Sequence, residues 1–165
     1  MKKLSVLLSL MFICSISFGQ IIDSTSQKVD SINCNRIIKE IDEFSGEITY
    51  EAKVTNDVIF FKFKDKGIVE YCLSIWVKET DIYTGTGVTI ILKNGKKINK
   101  PNAKVESTYS GGSFYTTTFI RLTNYDIELL KQSGVEKYKL YVSTGQIIGY
   151  SDLSKDIFNC LIKAK

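Results

Sequence analysis

From Glu47 onward the chain alternates. Ile48, Tyr50, Ala52 and Val54 are apolar, and Glu47, Thr49, Glu51 and Lys53 between them are polar. A period of two is the spacing of a strand with one face in water and one against a core. Similar β-rich runs follow at Val58–Lys64, Ile68–Lys78 and Gly87–Lys93, then at Lys104–Tyr109 and Phe114–Leu122. Val69, Tyr71, Leu73, Ile75 and Val77 share one face of the longest run. Trp76 falls on its other face with Glu70, Cys72 and Ser74.

Turn residues punctuate these runs. Asp65-Lys66-Gly67, Thr84-Gly85-Thr86-Gly87 and Ser110-Gly111-Gly112 read as connections. Asn94-Gly95 predicts a type I′ hairpin, with φ > 0 at both positions. Lys96–Lys100 returns from it, and Pro101 is expected to end that strand. A late strand is expected over Val135–Val142, a turn at Thr144-Gly145, and a short strand over Gln146–Tyr150. Residues 36–44 carry Ile37, Ile38, Ile41 and Phe44, a spacing that suits either a helix or a short strand.

Two helices are signalled. Thr123 can cap the first, with Asp126 three residues on as its capping-box partner and Gly134 as a left-handed C′ residue. Ile127 and Leu130 give its buried side. The second spans Ser151–Lys163, with Ser151 or Asp152 as cap and Leu153, Ile157, Cys160 and Leu161 on one face. The expected fold is therefore mainly β: an antiparallel β-sandwich or barrel-like domain with one short internal helix and a short C-terminal helix.

The first residues follow different rules. Lys2 and Lys3 precede an uncharged apolar stretch from Leu4 to Ile13, and small residues lead to Gly19. This is the layout of a signal peptide over 1–19, with Gln20 opening the mature chain, and it is too short for a membrane span. Residues 20–35 read as a polar, flexible lead-in, and 36–165 as a single β-rich domain. Cys14 is a poor lipidation site, because Ile13 rather than a small residue precedes it. The expected location is exported, periplasmic or extracellular, with no membrane span after signal removal.

Export changes the charge and the cysteine chemistry. Loss of Lys2 and Lys3 takes the 22 basic residues to 20 against 18 acidic ones, a net charge of +2 rather than +4. The lysines are scattered and most alternate with apolar residues, as on the wet side of strands, so nucleic acid is not expected as a partner. Cys34, Cys72 and Cys160 remain in a compartment that permits disulfides. Cys72 sits within an apolar run and reads as a buried thiol. Cys34 and Cys160 lie near opposite ends of the domain, where termini often meet, and are the expected bridge.

No histidine is present. This removes Ser-His-Asp and Cys-His nucleophilic sites and histidine-ligated zinc. Gly85-Thr86-Gly87 has a strand after it and lacks the third glycine of a dinucleotide loop. Asp65, Asp81 and Asp126 are too scattered for a calcium loop, and no cofactor or metal is called for. The carboxylate pairs Asp42–Glu43, Glu47–Glu51 and Asp126–Glu128 leave one catalytic alternative, a carboxylate-based hydrolase acting on envelope glycans.

Aromatic side chains are the remaining candidates. Trp76, Tyr83, Tyr109 and Tyr115 are the expected binding residues, with Tyr138 and Tyr141 as further members of a face that could stack on sugars or hold a peptide. The competing reading packs them within the core and on cross-strand neighbours. Glycine-turned GVTIILKNGKKI (Gly87–Ile98), FIRLTNYDIELLKQSGVEKYKLY (Phe119–Tyr141) and the terminal NCL (Asn159–Leu161) resemble a group of small exported bacterial proteins without an assigned activity. The resemblance implies a β-rich secreted domain with a short helix before a late strand, and it transfers no catalytic residue. The expected function is an exported, non-catalytic binding or structural module of the bacterial cell envelope, its partner an envelope protein or glycan. An inhibitor or immunity-type protein would instead present a large flat or convex apolar patch.

Overall fold

The computed structural model describes residues 34–165. The expected signal peptide, 1–19, and most of the lead-in, 20–35, lie outside the described residues. A 3-10 turn, Cys34–Arg36, opens the described chain. The strands are β1 (Ile37–Ile41), β2 (Ile48–Lys53), β3 (Val58–Asp65), β4 (Ile68–Glu79), β5 (Gly85–Leu92), β6 (Lys97–Ser110) and β7 (Ser113–Arg121). Helix α1 (Asn124–Gln132), β8 (Val135–Leu140), β9 (Ser143–Gln146) and helix α2 (Ser151–Lys163) complete the fold.

The nine strands form one antiparallel sheet in the order β1-β2-β3-β4-β7-β6-β5-β8-β9, curled into a half-barrel. Its long strand β6 joins two parts. Lys97–Val105 of β6 pairs with β5, and Glu106–Ser110 pairs with β7. The mainly β expectation holds.

Alternation decides which face is buried. Tyr50, Ala52, Phe60, Leu73, Ile75, Val88, Ile90, Leu92, Ile120 and Leu140 face a shared core. Helix α2 adds Ile157, Phe158 and Leu161 to it, and α1 adds Leu129 and Leu130. The Phe158 ring lies 4.9 Å from that of Phe60 and 6.1 Å from that of Tyr71, so α2 fills the hollow of the sheet. Cys34 and Cys160 are disulfide-bonded, which clips α2 to the start of β1.

Thr123 and Asp126 form the expected capping box: Asp126 N–H donates to Thr123 Oγ1, and Thr123 N–H donates to the Asp126 carboxylate. Other local expectations change. Asn94-Gly95 is not a type I′ turn, since only Gly95 has positive φ (80°). Gly95 N–H donates to Leu92 O, and the loop is a three-residue type with glycine in the left-handed position. Positive φ at both central residues occurs instead at Lys66 (46°) and Gly67 (85°), between β3 and β4. Pro101 does not end its strand. It sits where the β5–β6 register slips, between Thr86↔Lys104 and Val88↔Lys100, so its missing N–H costs no ladder bond.

Near the C-terminus, Thr144-Gly145 belongs to β9 and the turn falls at Tyr141-Val142. Residues 147–150 form no strand. Tyr150, not Ser151 or Asp152, is the N-cap of α2, with no side-chain hydrogen bond. Gly134 is not left-handed. A Cβ there would lie 1.6 Å from the Ser151 carbonyl oxygen, so glycine is required by contact with the start of α2. Residues 37–41 resolve as a strand, whose Ile38 and Ile41 are exposed at the sheet edge.

Candidate functional site

Strands β2, β3, β4 and β7 turn a second set of side chains away from the core. Register places Phe61 opposite Glu51 and Cys72, and Phe63 opposite Thr49 and Glu70. Ser74 stands opposite Phe119, and Cys72 opposite Arg121. The Phe61, Phe63 and Phe119 rings lie 5.8–6.2 Å apart, and Phe119 is 55% exposed. Trp76 and Tyr115 continue the row with rings 6.0 Å apart, edge to face. Trp76 Nε1–H donates to Ser74 Oγ at 3.0 Å, which fixes the indole against the sheet.

A groove of about 470 Å³ opens at one end of this row. Phe63, Ile68, Phe119, Cys72, Glu70 and Arg121 help to line it. Glu70 and Arg121 pair at 2.8 Å across neighbouring strands. Cys72 is buried and free, as its apolar sequence context implies. Burial pushes its thiol pKa up, Arg121 opposes that and Glu70 adds to it. A protonated thiol is a poor nucleophile.

The four expected binding residues do not form one patch. Trp76 and Tyr115 share the outer face. Tyr109 lies tilted against Phe114, ring centroids 5.1 Å apart, on the opposite side of the β6–β7 hairpin and is exposed. Tyr83 is held by its backbone, whose N–H donates to Ser107 Oγ while Ser107 donates back to Tyr83 O. Tyr138 is buried, and burial, with Asp57 nearby, pushes its hydroxyl pKa up to about 12. Tyr141 occupies the β8–β9 turn with its ring against Gly85.

Phe61, Phe63 and Phe119 were not singled out by the sequence. For Phe61 and Phe63 the signal is in VIFFKFK, where one parity has to face the core. The two lysines at its end, Lys62 and Lys64, alternate with phenylalanine and make Lys62 look wet and the phenylalanines look buried. The structure reverses this: Phe60 and Lys62 face inward, and Phe61 and Phe63 face outward.

Of the paired carboxylates, Asp42, Asp126 and Glu128 are engaged locally. Asp42 accepts from the Phe44 and Ser45 N–H groups, each at 2.8 Å, and the Ser45 and Phe44 bonds hold its carboxyl below the usual range. Glu47 lies at the outer groove, and Glu51 opposite Phe61. Asp126 is buried. Burial raises its pKa, but Lys100 at 2.5 Å and the Thr123 side chain and backbone outweigh this and hold it low. Glu128 pairs with Lys131 at 2.8 Å. Among the described residues no three Cys, Asp or Glu side chains gather as a metal site, and no helix is long and apolar enough to cross a membrane.

No family model matches the chain, and no curated protein or solved structure matches it.

Proposed function

We propose that this protein is an exported, non-catalytic binding module of the bacterial cell envelope, built on a half-barrel scaffold. In this reading it engages an envelope protein or glycan through the outer face of its sheet. The observation that carries the reading is the row Phe61, Phe63, Phe119, Trp76 and Tyr115 on the side away from the core. Phe119 is exposed and the other four are half-buried, and outward aromatic rings carry large apolar area with little side-chain freedom to lose on binding. The sheet holds them rigidly, so little ordering is needed on binding. The signal-peptide layout of residues 1–19 and the Cys34–Cys160 bond support an oxidising destination.

Trp76 is the single tryptophan, so it reports on this face without labelling. Titrating isolated envelope fractions, then their protein and glycan components, into the mature protein should shift Trp76 emission. Phe119→Ser and Phe63→Ser should weaken the response about tenfold or more while the thermal midpoint stays within a few degrees. Unchanged binding by both variants would overturn the proposal. Mass spectrometry of the native protein should find a mature chain beginning at Gln20.

A further inference from the structure

The outer face continues beyond the aromatic row onto β5, β8, β9 and the first half of β6, where its chemistry changes. Thr89 and Ile91 of β5, Lys137 and Lys139 of β8, and Thr144 and Gln146 of β9 line a groove of about 520 Å³. Lys97 lies opposite Ile91, whose other neighbour in the register is Lys137. Thr89 similarly stands between Asn99 and Lys139, and its hydroxyl donates to Asn99 Oδ1 at 3.1 Å.

The three lysines are exposed, and among the described residues none has a carboxylate within ion-pair reach. Some lysines elsewhere are paired, Lys93 with Asp152, Lys100 with Asp126, Lys104 with Glu106 and Lys131 with Glu128, while others such as Lys53, Lys64 and Lys78 are not; what sets these three apart is that they cluster on one acid-poor face. Glu136 is the single acid on these strand segments. The register skips it, from Leu92↔Val135 to Ile91↔Lys137, and it does not line the groove. Strand geometry sets Lys137 and Lys139 about 7 Å apart and Lys97 about 10 Å from Lys137.

We propose that this face binds an acidic, carboxylate-bearing polysaccharide. Uncompensated lysines on a fixed sheet attract a chain of repeated negative charge. The hydroxyls and amides of Thr89, Asn99, Thr144 and Gln146 suit sugar hydroxyls, and Ile91 offers a small apolar floor. A membrane surface fits less well, because half-buried Ile91 is the one apolar side chain of the groove's outward set. Nucleic acid fits less well too, since the one aromatic residue lining the groove, Tyr138, is buried and cannot stack on a base.

The proposal does not depend on the aromatic row. The mature, disulfide-intact protein is titrated with polygalacturonate, neutral dextran, phosphatidylglycerol vesicles and duplex DNA. Polygalacturonate should bind and dextran should not, with affinity falling as salt rises. Lys137→Ala combined with Lys139→Ala should weaken polygalacturonate binding about tenfold. Thr144→Ala with Gln146→Ala should weaken it too, and Phe119→Ser should not. All variants should keep the parental thermal midpoint, because the side chains are exposed. Absence of polygalacturonate binding, equal binding by the lysine variant, or tighter binding of vesicles or DNA overturns the proposal.

Discussion

A lysine inside VIFFKFK must choose between water and the hollow of the sheet, and Lys62 takes the hollow. Its ammonium donates to the carbonyls of Ala164 (2.7 Å) and Ile162 (3.2 Å) at the end of α2. The Tyr50 and Tyr71 rings lie 5.3 and 5.9 Å away. A cation at a helix C-terminus satisfies orphan carbonyls and meets the negative end of the dipole. Lys62→Met should therefore cost about 1–3 kcal/mol in denaturant unfolding, because both carbonyls lose their partner. Burial, with Lys64 adding to it, lowers the Lys62 pKa below 10.5 in the folded state. The unfolded chain then holds more protons between the two values, so stability attributable to Lys62 rises as pH climbs toward 10.5. The wild-type-minus-Lys62→Met difference should rise over that window, with the tyrosines common to both proteins cancelling. Gly134 is the second decisive residue. Gly134→Ala drives a methyl into backbone and should cost about 3 kcal/mol or more, whereas Gly46→Ala, in open space at φ 74°, should cost about 1 kcal/mol. The sequence reads the strand lysines as wet and Gly134 as a left-handed C′ residue, and misreads both positions. Parity alone does not say which face of a strand closes on a helix arriving from a hundred residues away. A glycine looks the same whether it serves φ or contact.

At the scale of elements, local rules were legible where both partners lie within a few residues. The Thr123–Asp126 capping box and the Ser110-Gly111-Gly112 hairpin needed no tertiary information. Pro101 did, since β5 is what makes room for it by slipping register opposite. The Tyr141-Val142 turn did too: Gly145 looked like turn chemistry but is a strand residue under the Tyr138 ring, where a Cβ would lie 2.4 Å away. Helix α2 shows how much one element can hold. It packs against β1, β2, β3, β8 and α1, it receives Lys62, and its Cys160 is bonded to Cys34 across 126 positions. Closing a loop of that length contributes up to about 4–5 kcal/mol in the chain-entropy description. Cys34→Ser, or full reduction of the native bond, should lower stability by a large part of that, read as a fall in the urea midpoint at unchanged pH. Cys72→Ala should leave the bond intact and cost only about 1–2 kcal/mol for the small buried group. The bridge was expected because a signal peptide over 1–19 would take Cys14 with it and the apolar surroundings of Cys72 set it aside. The outer aromatic row was not, because it needed the register of four strands at once.

Over the whole molecule, the sheet is open, with β1 at one edge and β9 at the other. Open edges expose unpaired backbone groups and are the first to give way. They are not equally defended. β9 is four residues long and its buried Ser143 donates to Thr116 Oγ1 of β7 at 3.2 Å, tying that edge across the hollow. β1 carries exposed Ile38 and Ile41 and, among the described residues, has no strand beyond it, and the disulfide holds the turn that leads into it. Amide exchange should therefore rank β4 and β7, each paired on both sides, as slowest and close to global unfolding. β1 should exchange far sooner. Selective reduction of Cys34–Cys160 should speed β1 by about two orders of magnitude or more, since roughly 3 kcal/mol of local restraint corresponds to over a hundredfold in the opening equilibrium. The outer amides of β4 and β7, which present Trp76, Tyr115 and Phe119, should stay slow. An aromatic row that kept its rigidity while the α2 clip was broken would show that the disulfide guards the sheet's edge and the packing of α2. Uniform acceleration across the sheet would instead show that edge and row open as one unit, with the bond stabilising both.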